Sequence, residues 1–107
     1  HGTLRHERSA ASAQRLARRV AALRRFRRVT AAFLEQAPTV EAALRECRPD
    51  PCVVVGFFLD HGGHSAGDIP RLIAAEHPGA AYTGAIGALP GFVEVVLDAV
   101  RNAARGR

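Results

Sequence analysis

Apolar residues recur at helical spacing from Ser9 to about Phe26, with Leu16, Val20 and Leu23 on one face and Arg15, Arg18, Arg19 and Arg25 largely elsewhere. Ser9 carries the hydroxyl that suits the N-cap of such a helix. Val29 to Leu34 then reads as a short strand. Ala37-Pro38-Thr39 is a break and cap, after which Val40, Ala43, Leu44 and Cys47 return at helical spacing, with Glu41 favourably placed in the first turn. Cys52 to Leu59 is β-rich and apolar on both faces, the pattern of a central strand in a parallel sheet covered by helices on both sides. A glycine-rich loop, Asp60 to Gly67, leads to a helix that starts at Asp68 and ends near His77-Pro78-Gly79. Ala81 to Ile86 predicts the next strand. The last helix follows Leu89-Pro90-Gly91, turning Phe92, Val95, Val96 and Val100 inward and leaving Glu94, Asp98, Arg101 and Arg105 to water.

The order helix, strand, helix, strand, helix, strand, helix predicts a three-layer α/β domain of flavodoxin-like type, a small parallel sheet with helices on both faces and right-handed crossovers. A further strand before His1 would complete the alternation. Because the chain starts at His1 and contains no Met, it reads as a piece that begins after that first strand. At 107 residues, with 48% hydrophobic and 23% charged positions, the expectation is a single domain over 1–107, with neither repeat nor linker inside it. Its longest apolar run, Cys52 to Leu59, is far short of the roughly 20 residues that a bilayer span needs, so no membrane association is expected.

Charge sharpens this picture. The net charge is +5, every basic residue is Arg, and seven of the fifteen Arg lie between Arg15 and Arg28. Such a face attracts polyanions, but no nucleic-acid recognition motif accompanies it and no aromatic except Phe26 interleaves the run, so no nucleic-acid partner is expected and a solvated helix face is the plainer reading. Cys47 and Cys52 flank Arg48-Pro49-Asp50-Pro51 without the spacing of a zinc pair, and no signal peptide is visible, which favours reduced, packing thiols in a cytoplasmic protein.

Candidate chemistry lies where parallel sheets place it, in loops after the carboxyl ends of strands. Three such loops carry His1-Gly2-Thr3, Glu35, and Asp60 to Gly67 with His61 and His64. Imidazoles on two separate glycine-bearing loops suit a divalent metal or proton transfer. Glu35 is either a metal or proton acceptor or a solvated carboxylate. His61 is either a further metal contact or an exposed loop residue, His6 reads as polar loop or helix-start, and Asp68 reads as an N-cap that steadies the His64 loop.

His1-Gly2-Thr3, then Ala32-Phe33-Leu34-Glu35-Gln36-Ala37-Pro38, then Gly56-Phe57-Phe58 with Gly63-His64 and Asp68-Ile69-Pro70, together resemble the motif series of sirohydrochlorin chelatases of the CbiX/SirB type. Order and separation match from His1 to about Val100. The resemblance implies a class II chelatase fold and a lyase that inserts Co²⁺ or Fe²⁺ into a modified tetrapyrrole in cobalamin or siroheme biosynthesis. The metal is then a substrate and no permanent cofactor is expected. The family's two active-site histidines fall on His1 and His64, with Glu35 and His61 as further candidate metal contacts. Neutral imidazoles suit the task, because two pyrrole N–H protons must leave while a partly dehydrated metal enters the ring. Sirohydrochlorin carries several carboxylates, which Arg5 and Arg71, nearest in sequence to the two loops, could hold by charge-assisted hydrogen bonds. The remaining partner is a second copy in a homodimer or a second chelatase-like repeat. Two other readings compete: a carrier of the same fold that holds metal or tetrapyrrole without turnover, and a ligand-free flavodoxin-like interaction domain.

Overall fold

The computed structural model describes residues 3–59 and 64–106, with backbone only at 3–9 and 64–66. The chain is α/β: α1 (Thr3–Ala22), α2 (Val40–Cys47), β1 (Val53–Gly56), α3 (His64–Glu76), β2 (Ala81–Ala85) and α4 (Gly91–Arg105), with a 3₁₀ turn at Ile86–Ala88 before α4. It divides into two compact units, His1–Arg48 and Pro49–Arg107. Among the described residues no helix is long and apolar enough to cross a membrane.

In the first unit, α1 begins at Thr3 rather than at Ser9, since neither Gly nor Pro interrupts Thr3 to Ala22 and most of its residues favour helix. Ser9 is therefore inside the helix and does not cap it, and Arg5 lies on the helix rather than in a loop. The helix also stops short of Phe26. Leu23 and Arg24 donate to the carbonyls of Val20 and Ala21 at 3.1 and 3.0 Å, and Arg24 turns into the left-handed region at φ 56°. Val29 to Leu34 does not form the expected strand. A strand needs a neighbour for its backbone groups, and among the described residues only Phe33 finds one, an isolated parallel bridge to Thr39. That bridge is built from Phe33 N–H to Pro38 O at 2.9 Å and Val40 N–H to Phe33 O at 3.0 Å. It delivers Thr39 to the head of α2, where its Oγ1 accepts from the Ala42 N–H at 3.2 Å. Among the described residues, Ala10, Val40 and Leu44 are the buried apolar ones of this unit.

The second unit is a β–α–β arrangement. β1 and β2 run parallel, an arrangement that needs a crossover such as the one α3 provides, in register Val53 to Ala81 and Val54 to Tyr82. α3 opens at His64, upstream of the expected Asp68, and tolerates Pro70 in its interior at the loss of one intrahelical bond. Ile69, Ile73 and Ala85 are buried. So is His77, just past the end of α3, whose Nε2 stands 2.9 Å from the Asp50 carbonyl before β1 and donates to it. His77→Ala removes that donor and leaves the carbonyl without it, so it is expected to cost about 1–3 kcal/mol in urea unfolding; a change under a few tenths would show the contact to be dispensable.

Two burial expectations change. β1 is shorter than Cys52 to Leu59, its sheet has two strands among the described residues rather than three, and Val53 and Val55 are exposed instead of covered. In α4, Val95, Val96 and Val100 are exposed rather than inward, with Val93 and Leu97, and only Phe92 is half-buried. The amphipathic pattern is present, but within this unit α4 packs chiefly on the 3₁₀ turn, so its apolar side has no cover there.

Candidate functional site at the carboxyl ends of the strands

β1 and β2 end side by side, and the end is shaped by a bulge. Register advances from Val54–Tyr82 to Gly56–Ala85, so β2 spends one residue more than β1 over this step. Gly84 absorbs it at φ 80°, a backbone region that other residues enter with strain. Thr83 repairs the ladder: its Oγ1 accepts from the Gly56 N–H at 3.4 Å and donates to the Gly84 carbonyl at 2.7 Å. Bulges of this kind re-aim side chains beside active sites.

Beyond the bulge the two outgoing segments are tied together. Gly87, in the 3₁₀ turn after β2, donates its N–H to the Phe58 carbonyl at 3.0 Å. A Cβ at Gly87 would stand 2.0 Å from the Leu59 carbonyl oxygen, so only glycine permits the approach. The segment Phe57–Leu59, which leads toward His64, is thus held by main chain while Phe57 and Leu59 keep their side chains exposed.

Tyr82 is the residue of this end that the sequence reading passed over, although it is the chain's single tyrosine. Its hydroxyl is buried without a hydrogen-bond partner, against Gly56, where a Cβ would lie 2.5 Å from it. Burial pushes its phenol above the ordinary value near 10, so it stays a neutral donor. Removing an unsatisfied hydroxyl relieves its desolvation, and Tyr82→Phe is expected to raise stability by about 1 kcal/mol; a fall in the urea midpoint would overturn that reading.

The candidate residues divide between the units. In the first, Glu35 is exposed in the bend closed by the Phe33–Thr39 bridge. Arg5 is on α1, with its side chain outside the described residues, as are all of His1 and the side chain of His6. In the second, His61 lies outside the described residues, and His64 is the first residue of α3, described by its backbone only. Asp68 is one turn into that helix and does not cap it; its carboxylate holds the Arg71 guanidinium at 2.5 Å. Arg71 is two turns after His64 on the same helix, a spacing that returns to one face. The Arg71–Asp68 pair faces solvent, where such a pair holds only weakly. Among the described residues, no three His, Cys, Asp or Glu side chains gather as a metal cage, and neither Cys47 nor Cys52 forms a disulfide.

Comparison with curated proteins and with solved structures gave no match. The family model for CbiX, however, covers residues 1–103, nearly the whole chain and every motif quoted above, and the chain therefore belongs to the CbiX, sirohydrochlorin chelatase-like family.

Proposed function

We propose that the protein is a metal chelatase, a lyase that inserts Co²⁺ or Fe²⁺ into sirohydrochlorin in the cytoplasm, in cobalamin or siroheme biosynthesis. The observation that carries this reading is the family match over residues 1–103. The position of His64 supports it, as the first residue of the helix that follows the carboxyl end of β1.

In this reading the divalent ion is substrate. His1 and His64 act as transient ligand and as base for the two pyrrole protons, so that the ring, its metal and two released protons balance. Glu35 and His61 are the further candidate contacts to the metal. A site of few protein ligands suits turnover, since a closed four-ligand cage would hold its metal. The imidazoles must be neutral to serve in either role. Arg5 and Arg71 orient substrate carboxylates, Arg71 by releasing Asp68. The uncovered apolar side of α4 supports a second copy, or a second chelatase-like repeat, as the remaining partner.

The test is anaerobic absorbance of sirohydrochlorin with the protein and excess Co²⁺ or Fe²⁺. Multiple turnovers above the spontaneous rate are expected, and the faster metal identifies the reaction. Tetrapyrrole binding without turnover would replace the enzyme by a carrier, and no spectral change would leave an interaction domain.

A further inference from the structure

Over residues 8–34 the chain carries eight Arg and neither Asp nor Glu, while the rest of it is net negative. Near the end of that stretch lies the turn that follows α1. Leu23 and Arg24 close the helix, Arg24 passes through the left-handed region at φ 56°, and every residue over 22–28 is exposed. A run exposed at each position projects from its unit instead of lining a cleft.

Two kinds of side chain alternate on this turn. Arg24, Arg25, Arg27 and Arg28 bring four guanidiniums, of which Arg28 pairs with Glu46 at 2.5 Å. Arg24, Arg25 and Arg27 have no acidic partner among the described residues. Leu23 and Phe26, set between and beside them, are 61% and 63% exposed. Solvated arginines alone need no ligand, and single exposed apolar side chains are common. Both together on one projecting turn describe a surface that has anions outside and hydrocarbon just beneath. A bilayer with anionic headgroups is such a surface: lipid phosphates take the guanidiniums, and the boundary with the acyl chains takes the Leu and Phe side chains.

Other polyanions use only part of the turn. A nucleic-acid strand stacks successive bases on successive aromatics, and here there is one ring. An acidic protein segment docks in a groove, which a projecting turn does not offer. Free phosphate would meet the arginines and leave Leu23 and Phe26 in water. Although no helix among the described residues can span a bilayer, adsorption to its surface needs no span. We propose that the turn over residues 23–28 docks the protein reversibly on an anionic phospholipid surface, with Arg24, Arg25 and Arg27 at the phosphates and Leu23 and Phe26 in the headgroup layer. The attachment is screened by salt and requires neither the candidate histidines nor metal insertion.

The test is co-sedimentation of the full chain with vesicles of phosphatidylcholine alone, and of equal parts phosphatidylcholine and phosphatidylglycerol. Binding is expected to the mixed vesicles only, and to weaken at about 0.5 M salt. Each arginine near an anionic surface is worth about fivefold in partition, so the combined variant Arg24→Gln, Arg25→Gln, Arg27→Gln is expected to bind about a hundredfold more weakly. A control that removes equal charge from exposed positions elsewhere, Arg48→Gln, Arg101→Gln, Arg105→Gln, is expected to keep most of the binding. The double variant Leu23→Ser, Phe26→Ser keeps every charge and is expected to bind more weakly at both salts. An unchanged circular dichroism spectrum is required of each variant. Equal losses in the two arginine variants would assign the attraction to net charge and overturn the proposal. So would parent-like binding by the Leu23→Ser, Phe26→Ser variant, equal binding to both kinds of vesicle, binding to neither, or displacement from the mixed vesicles by a single-stranded oligonucleotide at equal phosphate.

Discussion

Gly87→Ala is expected to lower stability by about 3 kcal/mol or more, because its new methyl group has nowhere to go. The added Cβ would meet the Leu59 carbonyl oxygen at 2.0 Å, its carbon at 2.6 Å and the Leu59 Cα at 2.7 Å. All three are main-chain atoms, so no rotamer change relieves the overlap. The turn must withdraw from Phe57–Leu59, which also breaks the 3.0 Å bond from the Gly87 N–H to the Phe58 carbonyl. For a domain near this size each kcal/mol moves the melting temperature by roughly 4–8 °C, so a fall beyond about 10 °C is expected in a thermal melt. A melt within 2–3 °C of the parent would show that the two segments are not held this closely. The damage should not stop at stability, since the segment leads toward His64, and any residual fold should insert metal more slowly than the parent.

His64→Ala is expected to behave in the opposite way, with the fold kept and the chemistry lost. As the first residue of α3 the position has a small helix-propensity cost in either form, so the urea midpoint should stay within experimental scatter. A general base or transient ligand contributes about 10²–10⁴-fold, and sirohydrochlorin absorbance should report a metal-insertion rate lower by at least the smaller of these factors. A variant that retained more than a tenth of the parent rate would remove His64 from the reaction.

Much of the local architecture was legible because local chemistry decided it. Thr39 before Val40 to Cys47 gave α2 its start and its periodicity, and Pro90-Gly91 gave α4 its start, each as found. The loop-to-helix passage at His64 was legible as a motif, not as a helix boundary: Asp68 before Ile69-Pro70 has the chemistry of a cap, but its carboxylate serves Arg71 instead. Val29 to Leu34 shows the limit of propensity, since its residues favour a strand and most of them find no partner among those described. The inward reading of α4 failed for a related reason, as periodicity tells which side of a helix is apolar but not whether anything covers it. Tyr82, Thr83, Gly84 and Gly87 were missed because their roles arise from cross-strand register and close main-chain approach, which no spacing rule along one chain can express.

The tie between Gly87 and Phe58 has a consequence for how this edge of the protein can vary. It is made entirely from backbone atoms, while the side chains of Phe57 and Leu59 point into solvent. Positions 57 and 59 can therefore be exchanged for larger, smaller or polar side chains with little loss of stability. This edge of the protein is in this sense a replaceable surface on a fixed mount, provided position 87 remains glycine.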